Sequence, residues 1–439
     1  MTAGDSHARC DVAIVGAGVL GVTIAFWISK LFQCSVMLVD GAPTVAYHTS
    51  TRNTGVIHRP FYLDPGLKKV FAQSASSSYP LWREVAEKFG LPWKNVGTFE
   101  VATAEEEVRT LEKYVTWGAR NGMAEDELEL LDGRSVEKLE PEVRCRAALN
   151  SKTDVSVDFG SFTRAVFEAA EREGVALMQE EVIAVASSDD GTIQLTFKPG
   201  RGKRGLTCRY LINSAGGGAV DIAHMCGVGL DYTDLHFRGD YWVVGEPFAP
   251  RVGRNIYSVA RHSQFPFLDP HFVVRSDGSR QIGPNAALVS GPFAYEGLGD
   301  GILRKLAEAP VSPKVRLFTN PAFLSLLWNE WRSTLSRREM CQRIRRFIPG
   351  LRPSYLVGRG LSGVRSSLIG DEGFVPEALQ IETQNSLHIL NFNSPGATGA
   401  PAYSARVVRD LRESGALGFA RERSGLRDGL WGGTNLFTS

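Results

Sequence analysis

Near the N-terminus, Gly16-Ala17-Gly18-Val19-Leu20-Gly21 sets three glycines at the spacing G-x-G-x-x-G, and an acid, Asp40, lies 24 residues after the first. The run 11–15 (DVAIV) before them is apolar and reads as a buried strand. Residues 18–31 carry Leu20, Ile24, Trp27 and Leu31 at helical spacing, and 36–39 is a second apolar run. Strand, glycine turn, helix and strand within about 30 residues make a βαβ unit. Its chemistry would be phosphate binding. Gly16 permits the tight turn, Gly18 lets backbone approach a pyrophosphate, and Gly21 lets helix and strand pack closely. The helix start offers free N–H groups and partial positive charge. Asp40 can accept both ribose hydroxyls and would repel a 2′-phosphate, which disfavours NADP. The motif alone does not choose between FAD and NAD.

The chain of 439 residues is 43% hydrophobic, enough for two or three domains with packed cores. A net charge of +1 gives no global field for nucleic acid, so no nucleic-acid partner is expected. The six cysteines form no C-x-x-C pair and stand beside no histidine cluster, so neither a metal site nor a disulfide framework is expected. Residues 1–9 lack the basic-then-apolar layout of a signal peptide, and no run of 18 apolar residues occurs. A cytoplasmic location follows as the expectation.

Further along, 49–55 is a polar loop. A helix is expected over 67–89, interrupted by Pro80, and another over 103–121. The run 97–102 alternates like a strand. A helix at 162–173 leads into apolar segments at 175–178 and 181–185, and 210–214 is a strand entering the glycines 216–218. Strands at 239–245, 272–275 and 281–283 suggest an antiparallel sheet, 386–391 a late buried strand, and 401–412 the last helix. The fold class is α/β (α+β overall): a Rossmann-like βαβ cofactor domain plus an antiparallel-sheet substrate domain. The expected division gives 9–90, 156–235 and 355–420 to the first and 91–155 and 236–354 to the second. Residues 421–439 form a C-terminal tail.

Several of these segments resemble the D-amino-acid oxidase superfamily of flavoproteins. They are the strand at 210–214 ending in Ala215-Gly216-Gly217 with Asp221 beyond, Glu181-Val182-Ile183, Gly363-Val364-Arg365, and Asn393-Ser394-Pro395-Gly396-Ala397-Thr398-Gly399. The resemblance implies FAD as cofactor. It places Val182 along the adenine, Ala215, Gly216 and Gly363 beside the FAD, and Pro395, Gly396, Ala397 and Thr398 at the flavin edge. Ser50, Thr51, Arg52 and Asn53 form the polar loop near pyrophosphate and flavin. Within the superfamily the chain is most similar to the L-2-hydroxyglutarate dehydrogenase/oxidase family, over roughly 10–415. Asn53-Thr54-Gly55-Val56-Ile57-His58, Phe237-Arg238-Gly239-Asp240-Tyr241, Asn255-Ile256-Tyr257, Pro266-Phe267-Leu268 and Gly283-Pro284-Asn285-Ala286 carry that likeness. It departs from the family at Arg59-Pro60-Phe61-Tyr62, at Ser366-Ser367 and at Asp269-Pro270. These positions leave the substrate open between 2-hydroxyglutarate, a related 2-hydroxy acid and an amino acid.

The resemblance implies oxidation of a C–H bond beside a carboxylate, by hydride transfer to flavin N5 while a base takes the hydroxyl proton. Arg365 is the candidate clamp for the carboxylate, since guanidinium binds it bidentately. His58 and His271 are the candidate bases, with His271 slightly preferred and the pair left open. His48 and His262 are weaker candidates. Arg238 and Tyr241 are expected on one strand facing opposite ways, with Tyr241 lining the pocket and Arg238 in an ion pair. An amine or amino-acid oxidase of the same fold, or a flavin-binding scaffold without turnover, are the alternatives. Oxygen or a quinone would accept the electrons. Residues 321–331 are aromatic and apolar, and 332–352 hold seven arginines and one acid, Glu339. That pairing suits either peripheral contact with anionic lipid or an ion-paired helix on the substrate domain.

Overall fold

The computed structural model describes residues 7–200, 204–260, 269–299, 302–308, 311–424 and 429–437. His262 and Pro266-Phe267-Leu268 lie outside the described residues. The first strand, His7–Val15, starts before its apolar run because His7 to Cys10 pair in parallel with Gly205 to Cys208 of the long strand Gly205–Asn213. On its other edge it pairs in parallel with Val36–Val39, Val12 opposite Val36. Gly205–Asn213 continues in parallel to Ser386–Asn391, and antiparallel strands Ile193–Phe197 and Val182–Ser187 extend the sheet. Alternate side chains of the first strand feed two cores. Val12 and Ile14 meet Val22, Phe26 and Trp27 of the helix Val19–Leu31, while Cys10, Ala13 and Val15 face Ile193, Leu195 and Cys208. The helix is buried from Gly21 to Leu31, so it is a core helix and not a half-exposed one.

Two prolines act differently from the sequence expectation. Pro80 does not interrupt its helix, which runs unbroken over Lys69–Phe89. The final helix does not start at Pro401 but spans Gly396–Glu413 with Pro401 inside. The reason is how these two helices pack. Pro401 has no N–H, which frees the Ala397 carbonyl. Trp82 Nε1, on the first helix, donates to that carbonyl at 3.2 Å and to the Thr398 carbonyl at 2.9 Å. The displaced Ala402 N–H donates to Ser78 Oγ at 2.9 Å. Lys69–Phe89 thus supplies the partners that Pro401 removes from Gly396–Glu413.

A second, mostly antiparallel sheet joins Leu356–Arg359, Trp242–Val244, Arg280–Gly283, His271–Val274, Asn255–Ser258, Thr98–Ala102, Ala147–Ser151 and Leu128–Asp132 in that order. Its Ile256, Phe272 and Ile282 pack on Met340, Cys341 and Ile344 of the helix Arg337–Ile344. A third sheet sets Thr233–Gly239 between Ala287–Val289 and Gly363–Gly370. Arg238 and Tyr241 therefore do not share a strand. The chain leaves the third sheet at Gly239 and joins the second at Trp242. Arg238 still forms the ion pair, its Nε 3.0 Å from Asp240 Oδ1, and Tyr241 still faces the pocket.

In the segment 321–352, the helix Pro321–Leu335 buries Phe323 and Leu326 against the third sheet and exposes Leu324, Trp328 and Leu335. Arg343 pairs with Glu330 at 2.8 Å and Asp269 at 3.2 Å, and Arg346 with Glu107 at 3.1 Å. Among the described residues, no helix is long and apolar enough to cross a membrane.

Candidate active site

The glycine turn is built as its spacing requires. Gly16 has φ of +105°, and a Cβ there would lie 2.5 Å from the Ser214 carbonyl oxygen. A Cβ on Gly21 would fall 1.9 Å from the Gly16 carbonyl oxygen. The Asp40 carboxylate accepts from Ala17 N–H and Ala42 N–H, each at 2.8 Å, and so fastens the turn to the end of the second strand. Ser50 Oγ accepts from Val19 N–H at 2.9 Å, bringing the loop after Tyr47 onto the helix start. Asn53 closes that loop: its Oδ1 accepts from Gly55 N–H and its Nδ2 donates to the Ser50 carbonyl.

A cavity of about 300 Å³ begins at this helix start and runs between the sheets. At one end Gly18, Ser50, Asn53 and Gly216 line it. Along it lie Gly363 and the first turn of the last helix, Pro395, Gly396, Ala397 and Thr398. No side chain caps that helix, so its first N–H groups carry their partial positive charge to the cavity wall. At the far end stand His58, Tyr241, Tyr257, His271 and Arg365. Gly16, Gly21, Asp40, Thr51, Val182 and Ala215 are not in the wall. Gly16, Gly21 and Asp40 form the turn behind it. Thr51 Oγ1 donates to the Tyr47 and His48 carbonyls, and Ala215, two residues past the strand Gly205–Asn213, leads into the short turn Gly216–Gly218. Val182 follows Glu181, whose Cβ would lie 3.2 Å from one placed on Gly41, beyond Asp40.

The far end brings together groups from five separate stretches of chain. His271 lies on His271–Val274, is 1% exposed, and stacks on Tyr257 with ring centroids 3.9 Å apart. Its Nδ1 is 3.3 Å from the Asp269 carbonyl, which makes Nδ1 the donor, and its buried Nε2 has no hydrogen-bond partner among the described residues. Burial, aided by His58 and Arg365, pushes this imidazole down to about 3, so it is neutral at physiological pH. The buried Tyr257 hydroxyl also has no partner among the described residues. Tyr241 OH is 3.0 Å from Thr54 Oγ1. Arg365, on Gly363–Gly370, is held below its usual range by burial, against the opposing pull of Tyr241 and Tyr62. A bare imidazole nitrogen, a phenol hydroxyl and a cation sharing one buried end form a receptor for a small anion that also carries a donor. His48 stays apart, its Nδ1 2.8 Å from Tyr295 OH, and Tyr295 lies under the Arg52 guanidinium at 4.0 Å.

The sequence marks Tyr257 only as part of a family likeness and carries no signal for Tyr295, Trp82, Glu100 or Asp154. Glu100 lies under the site on Thr98–Ala102. Burial pushes its carboxyl up to about 8, with Asp154, Asp269 and Glu107 adding in the same direction. The folded chain therefore keeps a proton that the unfolded chain sheds near the ordinary 4.5. This contribution to stability is whole below that value and lost as pH rises through about 8. Glu100→Gln should match the natural chain in melting temperature below about pH 4.5, exceed it increasingly as pH rises toward 8, and keep a constant lead above that. Melting curves across pH check this, and a difference that stays flat contradicts it.

The uncapped helix start at Gly396, the turn at Gly16–Gly21 and the unpartnered acceptors fit a dinucleotide cofactor lying along the cavity with a substrate at its end. Comparisons with known proteins agree. The chain matches the family described as FAD dependent oxidoreductase (DAO) over residues 11–411. It is 29% identical to L-2-hydroxyglutarate dehydrogenase, mitochondrial, of Nematostella vectensis, over 91% of this chain and 90% of that one. The protein of that name from Homo sapiens is 27% identical (93% and 90%), and L-2-hydroxyglutarate dehydrogenase of Indibacter alkaliphilus is 27% identical (90% and 97%). Among solved structures, L-alpha-glycerophosphate oxidase from Mycoplasma pneumoniae with FAD bound superposes with a TM-score of 0.70 at 21% identity, covering 95% of this chain and 97% of that one. Glycine oxidase from Geobacillus kaustophilus gives 0.67 at 19% identity, covering 98% and 99%.

Proposed function

Because the chain belongs to the FAD dependent oxidoreductase (DAO) family, we propose that it oxidises an L-2-hydroxy acid, 2-hydroxyglutarate or a relative, to the 2-keto acid. The observation that carries this reading is the convergence of Arg365 with His58, His271, Tyr241 and Tyr257 at the end of the cofactor cavity. Bound FAD supplies the two-electron acceptor for the C2–H bond. In this reading Arg365 holds the C1 carboxylate and fixes C2, the histidines receive the hydroxyl hydrogen, and Tyr241 and Tyr257 shape the pocket. Gly16, Gly18, Gly21, Asp40, Ser50, Thr51, Asn53, Val182, Ala215, Gly216, Gly363 and the turn 395–398 hold the cofactor. Residues 9–90, 156–235 and 355–420 then serve the cofactor, and 91–155 and 236–354 the substrate. Anaerobic mixing of the yellow protein with panels of 2-hydroxy acids and amino acids tests the substrate class. Bleaching by 2-hydroxy acids is the expected result; bleaching by amino acids alone overturns the reading.

The electron acceptor belongs to the same proposal. Leu324, Trp328 and Leu335 stand exposed on one helix beside the exposed Arg338, an arrangement that suits contact with anionic lipid and delivery of electrons to a quinone. The protein should float with anionic vesicles at low salt and be released at high salt. Trp328→Ala should weaken flotation without lowering the melting temperature. Failure to float at low salt removes the membrane from the account.

A further inference from the structure

We infer that Asp154 positions His58 and that His58, so held, is the group that takes the substrate's hydroxyl proton, an inference that rests on the 2-hydroxy-acid reading. The pairing comes from a short antiparallel ladder. Val56 stands opposite Ser156 and Ile57 opposite Val155, so the next cross-strand pair is His58 with Asp154. His58 Nδ1 lies 3.4 Å from Asp154 Oδ2. Asp154 is fully buried and fixed from three directions: by Arg59 N–H at 3.0 Å, Thr98 Oγ1 at 2.8 Å and Ser151 Oγ at 2.7 Å. The ring is flanked edge-to-face by Tyr62 and Tyr257, and the His58 N–H donates to Thr398 Oγ1, which ties it to the helix start on the cavity wall. With Nδ1 toward the carboxylate, Nε2 is the nitrogen His58 offers to the cavity it lines.

The two histidines are thereby distinguished. Behind His271 Nδ1 stands a neutral carbonyl, and burial opposes its protonation. Behind His58 stands a carboxylate that compensates the positive charge the ring acquires. In the step, the substrate O–H bond breaks and its proton goes to His58 Nε2. The oxygen pair left behind forms the C2=O π bond, and the C2 hydrogen with its bonding pair would be taken up as hydride by FAD when bound. Neutral His271, with its free Nε2, orients the hydroxyl. The charged or titratable groups around the pair include Tyr62, Tyr79, Tyr257, His271, Arg365 and Glu100.

The test uses the FAD-loaded enzyme. Asp154→Asn should lower the limiting rate of anaerobic flavin bleaching by about 10²–10³-fold. Flavin content and the apparent Kd for the 2-hydroxy acid should stay within about threefold. In a His58→Gln background the same change should cost little more, because both act on one step. Equal losses in the two backgrounds, or a loss confined to Kd or flavin content, overturn the proposal. If Asp154→Asn fails to fold, Thr98→Val loosens the carboxylate and should show the same pattern with a smaller loss, and an unchanged limiting rate there counts against it. A natural enzyme that no 2-hydroxy acid bleaches instead brings down the underlying reading, a result distinct from bleaching that is indifferent to Asp154.

Discussion

Replacing Arg365 by methionine is expected to lower kcat/KM for the 2-hydroxy acid by about 10²–10⁴-fold, the equivalent of losing one partner of a desolvated charge pair. The guanidinium lies where burial already opposes its charge, so a bound carboxylate gains an interaction little weakened by water. Methionine keeps much of the volume and removes the cation. Arg365→Lys restores charge without the planar fork and should recover only part of the loss, with KM improving more than kcat, since a point charge binds the carboxylate without fixing C2. Steady-state kinetics on the three proteins decide the matter. A lysine variant equal to the natural enzyme would show that charge alone suffices.

The largest effect on stability is expected at Trp431. Its side chain is fully buried in an aromatic cluster, with ring centroids 5.0 Å from Phe26, 5.1 Å from Trp27 and 6.2 Å from Trp82. Its Nε1 donates to the Leu81 carbonyl at 2.9 Å, and its backbone N–H donates to Glu84 at 2.8 Å. Trp431→Ala should cost about 3–5 kcal/mol through the cavity it leaves in the aromatic cluster. The damage should reach the cofactor, because Trp82 in the same cluster holds the Ala397 and Thr398 carbonyls of the turn on the cavity wall. Calorimetry and the temperature of flavin release should therefore fall together. A drop in melting temperature with flavin release unchanged would separate the tail from the site.

The parts of this structure legible in the sequence are those with a local cause. The turn Gly16–Gly21 needs glycines for reasons of backbone sterics, and Ser386–Asn391 carries Leu387, Ile389 and Leu390 in a strand buried along its whole length, so both stand where the residues place them. The start of the last helix was hidden because Pro401 resembles a first-turn proline, and the hydrogen bonds that let it sit inside come from Ser78 and Trp82, more than 300 residues away in sequence. Tyr241 was placed facing the pocket for the wrong reason, since the change of sheet between Gly239 and Trp242 leaves no periodic mark. Asp154 had no sequence signal: the strands that bring it to His58 are two residues each, too short for alternation to register. Trp431 lies in a segment read as a tail, and only its aromatic partners show that it belongs to the core.

The account stands most directly on the reaction at C2. Anaerobic stopped-flow bleaching of the flavin by L-2-hydroxyglutarate, compared with the 2-deuterated compound, reads that bond. The account predicts a slower bleaching rate with deuterium and one equivalent of the 2-keto acid formed per flavin. Bleaching at the same rate with both compounds and no keto acid, or no bleaching by any 2-hydroxy acid, would contradict it.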